Sequence, residues 1–155
     1  MKQNVKKLLM AVAIPLAVGA LSALLSGGMQ DYMTLEKPPL SPPGWVFPVV
    51  WTILYLMMGY ASYRVAVNGA QKPGTKQALA VYGAQLVLNF LWSILFFGLE
   101  LRLTAFFLLI GLWLLIFLTI RLFSKIDEKA ADLLLAYILW VSFAAYLNLG
   151  TFLLN

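Results

Sequence analysis

The chain has 155 residues, 63% of them hydrophobic and 11% charged, with a formal net charge of +5 and neither cysteine nor histidine. That is more apolar surface than one soluble domain of this length can bury, so the composition reads as an integral membrane protein. The missing residue types exclude disulfides, the commonest ligand sets for zinc, haem iron and iron–sulfur clusters, and Ser-His or Cys-His nucleophile chemistry, and no metal site is expected. The basic charges sit between apolar runs rather than on one folded face, which speaks against nucleic acid as a partner.

A helical span needs roughly 20 apolar residues. Five runs qualify, at Leu8 to Ser26, Trp45 to Val67, Gln77 to Gly98, Leu103 to Phe123 and Ala130 to Leu154. The expected fold is all-α, one domain over residues 1–155 built as a bundle of five transmembrane helices in the lipid bilayer. Connections are short except for residues 27–44, where Pro38, Pro39, Pro42 and Pro43 fix φ and remove donors, making a stiff lid loop that feeds the second helix. No run carries a charge at its centre, which argues against a proton-coupled pump.

With five spans the termini lie on opposite sides. Lys2, Lys6, Lys7, Arg64, Lys72, Lys76, Arg121, Lys125 and Lys129 share one side, nine residues, and only Lys37 and Arg102 share the other. The positive-inside rule then places the N-terminus in the cytoplasm and the C-terminus and lid outside. A rival reading, in which Met1 to about Gly28 is a cleaved signal peptide, suits the length of the apolar run less well.

Three spans carry side chains that hydrocarbon does not require. In the third, Tyr82, Gln85, Asn89, Trp92 and Phe96 recur every three or four residues and form one stripe. Trp51, Tyr55, Met58 and Ser62 do so in the second, and Trp140, Ala144, Leu147 or Asn148, and Thr151 in the fifth. The fourth offers only Trp113 and Thr119 and is expected to face lipid or its neighbours. At a rise of about 1.5 Å per residue, Trp51 and Trp92 lie roughly 10 Å inside the outer ends of their spans and Trp140 lies near mid-depth. Aromatic groups thus gather beneath the lid, as in an apolar pocket with a few oriented polar groups. Plainer readings stand beside this one: Trp45 as an interfacial belt residue, Trp51 and Trp140 as packing, and Gln85 and Asn89 as interhelical glue worth about 0.6 to 2 kcal/mol. Gly19 with Ala23, and Ala80 with Ala84, are small-residue pairs that suit either the bundle or a dimer.

The blocks KPPLSPPGWVFPVVWTILYLMMGYASYRV, YGAQLVLNFLWSILFFG and AYILWVSFAAYLNL resemble, in order and spacing, three signature blocks of the translocator protein family, also called tryptophan-rich sensory proteins or peripheral-type benzodiazepine receptors. The resemblance runs from about Tyr32 to the C-terminus. It implies a five-helix bundle, often a homodimer, whose pocket binds porphyrins, sterols and isoquinoline or benzodiazepine-type drugs, with no obligatory cofactor. Carried over position by position, the pocket falls on Tyr32 in the lid, Trp51 and Tyr55, Asn89 and Trp92, and Trp140, Phe143, Ala144 and Asn148. In some bacterial relatives the tryptophans matching Trp51 and Trp140 are linked to light- and oxygen-dependent breakdown of protoporphyrin.

The chain departs from the family pattern at Asp31 and Leu40, where tryptophans often stand, so its lid is less aromatic. The sterol motif of the animal members is missing its tyrosine, replaced by Leu149, and no basic residue follows; Leu56, Tyr60 and Arg64 fit the same loose pattern. The reading that results is a sensor in the bacterial cell membrane that stacks a metal-free protoporphyrin on Trp51, Trp92 and Trp140 and orients it with Gln85 and Asn89. A photo-oxidative catalyst using Trp51 and Trp140 is one alternative, its chemistry resting on the porphyrin itself. A porphyrin or sterol carrier is another, though no inverted repeat of the kind common in transporters is visible.

Overall fold

Five long apolar segments satisfy their own backbone hydrogen bonds as helices, the only way for single segments to cross hydrocarbon without an edge. The computed structural model describes residues 2–27 and 30–155. Met1, Gly28 and the side chain of Asp31, each part of an expectation above, lie outside the described residues. The elements are α1 Lys2–Leu25, a short lid helix α2 Gln30–Met33, α3 Val46–Asn68, α4 Thr75–Ser93 continued by a π-turn at Ile94–Gly98, α5 Arg102–Ser124, α6 Glu128–Leu133 and α7 Leu135–Leu154. Among the described residues, five stretches are long and apolar enough to span a membrane: Asn4–Leu25, Val46–Asn68, Thr75–Gly98, Arg102–Ser124 and Glu128–Leu154. The protein is therefore a multi-pass integral membrane protein with an all-helical bundle.

The fifth span begins earlier than its hydropathy suggests and is broken at Leu134, between α6 and α7. Its first turn is held by Asp127, whose side chain accepts from the backbone N–H groups of Lys129 and Ala130 and so caps α6. The α3–α4 connection relies on glycine in the same local way. Gly69 closes α3 by donating to the Val65 carbonyl, and Gly74 precedes α4 at φ +86°, a conformation that costs a side chain dearly.

Packing arranges the helices unequally. α5, which shows little polar pattern, packs against α4, α6 and α7 along one stripe, Ala105, Leu109, Leu112, Ile116, Thr119 and Phe123, and turns Phe107, Ile110, Leu114, Phe117 and Leu118 to the outside of the bundle, in keeping with a helix that faces lipid and its neighbours. α1 packs against α3 and α4 and leaves most of its surface outward. Where α1 meets α3 the backbones touch: a Cβ on Gly59 would stand 2.5 Å from Val12 Cα. Trp45, 69% exposed at the start of α3, stands clear of the bundle, as an interfacial tryptophan would.

The two ends differ in chemistry. At the basic end, Arg64 Nε donates to Asp127 Oδ2 at 3.0 Å, Asn68 Nδ2 donates to the same carboxylate, and Lys72 Nζ reaches the Ile126 carbonyl at 2.9 Å. Partial burial pushes the Asp127 carboxyl up, but the hydrogen bonds from Asn68, Arg64 and the Ala130 backbone outweigh it and hold it below the usual carboxylate range.

At the other end the lid lies across the helix tips. Tyr32 inserts among Phe47, Phe96 and Phe97, with ring centroids 5.9, 5.8 and 5.5 Å away. The prolines are fastened to α7: Tyr146 Oη donates to the Pro39 carbonyl at 2.6 Å, and Pro38 sits so close to Gly150 that a Cβ there would be 2.6 Å from its ring. Asn155 clamps Glu36 through its carbonyl and amide nitrogen at 2.8 and 3.2 Å.

Candidate functional site

Beneath the lid an apolar cavity of about 400 Å³ lies between α1, α3 and α4. Trp51, Tyr55 and Phe47 line it from α3, Asn89 and Trp92 from α4, Leu16, Gly19, Ser22 and Ala23 from α1, and Ser26 from the turn that follows it. Its size is at the small end of the roughly 300 to 1,000 Å³ typical of ligand pockets.

The wall is built as a stack of rings held by a buried polar chain. Trp51 stacks on Tyr55 with centroids 5.7 Å apart and leans on Trp92 at 6.2 Å. Tyr55 Oη donates to Asn89 Oδ1 at 2.8 Å. Asn89 Nδ2 donates to Tyr137 Oη at 2.7 Å, and Tyr137 Oη donates to Gln85 Oε1 at 2.6 Å. One turn nearer the lid, Trp92 Nε1 donates to Asn148 Oδ1 at 3.0 Å, and Asn148 Nδ2 donates to the Arg102 carbonyl at 2.8 Å. Each donor thus has a fixed acceptor, so α3, α4 and α7 are cross-linked and the rings are pre-set, which lowers the ordering cost of binding.

Trp51, Tyr55, Asn89 and Trp92 come together in one wall. Gln85 lies a turn deeper and reaches the cavity only through Tyr137 and Asn89. Tyr32 roofs the site by packing on Phe47 and Phe97, both of which line it; burial raises its phenol. Asn148 stands behind Trp92 as its acceptor. Trp140 is on the far side of Trp51 and Phe47, with ring centroids 6.4 and 5.9 Å away. There it lines, with Phe143, an outward-facing apolar groove between α3 and α7, and its buried Nε1 has no acceptor among the described residues. Ala144 is buried in α7 and lines neither space.

Phe47 and Phe97, which line the cavity, escaped the reading of the sequence, as did Tyr137 and the role of α1. Tyr137, fully buried at the centre of the polar chain, is one helical turn before Trp140 and could have been found by extending that stripe backwards. The α1 wall is made of small residues whose contribution is space: Gly19 lets the Tyr55 ring press against the helix. Ser22 Oγ, donating to the Phe90 carbonyl at 3.0 Å, fastens α1 to α4.

The model of the TspO/MBR family matches residues 11–154. The chain belongs to the TspO/MBR family. It is 37% identical to the tryptophan-rich protein TspO of Chlorobaculum tepidum, over 100% of this chain and 99% of the relative. It is 41% identical to the tryptophan-rich sensory protein of Cereibacter sphaeroides over 80% and 76% of the two chains, and 37% identical to the translocator protein of Ovis aries over 78% and 72%. In this TspO/MBR bundle the cavity wall offers indole and phenol faces, an amide and the hydroxyls of Ser22, Ser26, Thr52 and Ser93, those of Ser22, Ser26 and Thr52 donating to backbone carbonyls. Such a surface binds by stacking and shape.

Proposed function

We propose that the protein is a membrane receptor that holds porphyrins, protoporphyrin above all, in the cavity beneath the lid, and that occupancy is the signal. The observation that supports this most directly is the Trp51–Tyr55–Trp92 wall, three rings held in place before any ligand arrives. Other flat apolar molecules, including sterols and isoquinoline or benzodiazepine-type compounds, suit the same faces. The names of the relatives, sensory and translocator proteins, agree with a receptor role for those proteins. On this reading the chain sits in a bacterial cell membrane with the basic end in the cytoplasm and the lid outside, as the distribution of Lys and Arg suggests.

A second reading, photo-oxidative breakdown of bound porphyrin, draws on the edge-on contact of Trp51 with Trp140 at 6.4 Å and with Tyr137 at 6.3 Å, an aromatic path along which an oxidised ring could be refilled. Purified protein titrated with protoporphyrin in the dark should show saturable Trp quenching, reduced at least tenfold in affinity by Trp51→Ala. Quenching that grows linearly with porphyrin would sink the receptor reading. Illumination in air then separates the two: loss of the porphyrin spectrum beyond a protein-free control, abolished by Trp51→Phe with Trp140→Phe, is the catalytic outcome.

A further inference from the structure

The cavity has two boundaries that could let a ligand through, and they are built differently. The lid is fastened at Tyr146 to Pro39, Gly150 to Pro38 and Asn155 to Glu36, and is roofed by Tyr32 among three phenylalanines. Between α1 and α3 the lining is open at its edge: Ala20 and Ala23 on one helix, Pro48 and Thr52 on the other, line the cavity and are exposed on the bundle surface. These are small or short side chains, and the surface on which they open belongs to segments that span the membrane.

α1 is also built to move at this edge. Pro15 lies inside the helix, and a proline there cannot donate to the carbonyl four residues earlier, which weakens and bends a helix. On the basic-end side of Pro15, Ala11 and Val12 are in backbone contact with Gly59 of α3. On the lid side, α1 is attached to α4, by Ser22 to the Phe90 carbonyl and by Ser26 lying 3.3 Å from where a Gly98 Cβ would be, while its α3 edge carries the exposed cavity-lining residues. Pro15 thus separates a half in backbone contact with α3 from a half tied to α4, whose contact with α3 on this side is Gly19 against the Tyr55 ring.

We infer that ligands reach the cavity sideways from the lipid, through the slot between the lid-side halves of α1 and α3, while the lid stays shut. The occupant is a flat apolar molecule already dissolved in the bilayer. The inference rests on the receptor reading and adds the state from which the ligand is taken. The slot also answers the size of the cavity: a macrocycle larger than the enclosed space can enter edge first, stack on Trp51 and leave its far edge among the lipid chains.

The chain has no cysteine, so paired cysteines can be bridged cleanly. Ala23→Cys with Thr52→Cys places a pair across the slot, and Pro39→Cys with Tyr146→Cys places one across the lid latch. Both variants, in nanodiscs, are bridged with a short bis-methanethiosulfonate, and association of protoporphyrin is followed by stopped-flow Trp quenching before bridging, after it, and after reductive cleavage. Bridging the slot should slow association at least tenfold and cleavage should restore it, showing that the protein stayed folded; bridging the lid should leave the rate within twofold. The reverse pattern, or equal slowing by both, overturns lateral access. If protoporphyrin fails to quench even the unmodified protein, the porphyrin reading falls by itself. The same two bridges are then compared with pyrene, a flat hydrocarbon read by energy transfer from tryptophan, and lateral access stands or falls on which bridge slows it.

Discussion

Gly19 is the position where the α1 wall can be tested most sharply. A Cβ there would lie 2.3, 2.8 and 2.9 Å from Cε2, Cδ2 and Cζ of Tyr55. Ordinary contact begins at 3.4 Å, so the ring or the helix must move by about an ångström. The ring has little freedom: Trp51 is stacked on it, and its hydroxyl is bonded to Asn89 at 2.8 Å, a distance that tolerates only a few tenths of an ångström before the bond fails. Overpacking of this kind costs about 1 to 3 kcal/mol, and loss of the hydrogen bond adds about 0.5 to 1.5. Against this, alanine is favoured over glycine in a helix by up to ~1 kcal/mol. Gly19→Ala should therefore destabilise the bundle by about 1 to 3 kcal/mol, measured by SDS titration in mixed micelles with far-UV circular dichroism. In a Tyr55→Ala background the clash is gone and the same change should be neutral or stabilising, a coupling of about 2 kcal/mol. Stability of Gly19→Ala within about 0.5 kcal/mol of the parent, or strict additivity with Tyr55→Ala, would refute the close approach of α1 to the aromatic wall.

Tyr137→Phe removes the group that accepts from Asn89 and donates to Gln85, leaving two buried amides short of a partner; a loss of about 1 to 3 kcal/mol is expected in the same titration, and a loss below the ~0.6 kcal/mol typical of intramembrane hydrogen bonds would show that the chain re-forms without the phenol. At the basic end the folded state holds Asp127 below its ordinary 3.8, so it binds fewer protons folded than unfolded. Its stabilisation is complete above the ordinary value and is lost as pH falls through the lowered one. The unfolding midpoint of the parent should drop below about pH 4 while that of Asp127→Asn stays flatter; Asp127→Ala should cost ~1 kcal/mol more than Asn at neutral pH, because Asn still caps α6. An identical acid decline in the Asn variant would assign it to another carboxylate.

The parts of this molecule that were legible in its sequence are those where the environment dictates a property of the side chain itself. Hydrocarbon demands length and apolarity, so five spans could be marked to within a few residues. A buried stripe in an apolar helix demands polar partners, so Tyr82, Gln85, Asn89 and Trp92 stood out at helical spacing, and all four are buried. The start of the last span was obscured for the opposite reason. Asp127, Glu128 and Lys129 fall before the apolar run that begins at Ala130, whereas Asp127 caps α6 and Glu128 opens it.

The harder cases are those where the contribution is an absence or an angle. Gly19 and Ala23 shape the cavity by what they leave empty, and a glycine that makes room looks the same in sequence as one that packs helices. Trp140 shows the angular problem. It shares a stripe with Tyr137, Ala144 and Asn148, and the first and last of these are buried in the polar chain, yet the indole falls on the outer side of Trp51. Each residue turns the helix by about 100°, so a residue at the margin of a stripe is placed inside or outside by a rotation smaller than one step. In α7 that rotation is set by bonds to two other helices, Asn148 to Trp92 of α4 and Ser142 to Trp113 of α5. Periodicity within one helix carries neither partner. That Nε1 of Trp140 has no partner among the described residues follows from this placement: the stripe supplies the indole, but the neighbouring helix that would bring an acceptor is not written in it.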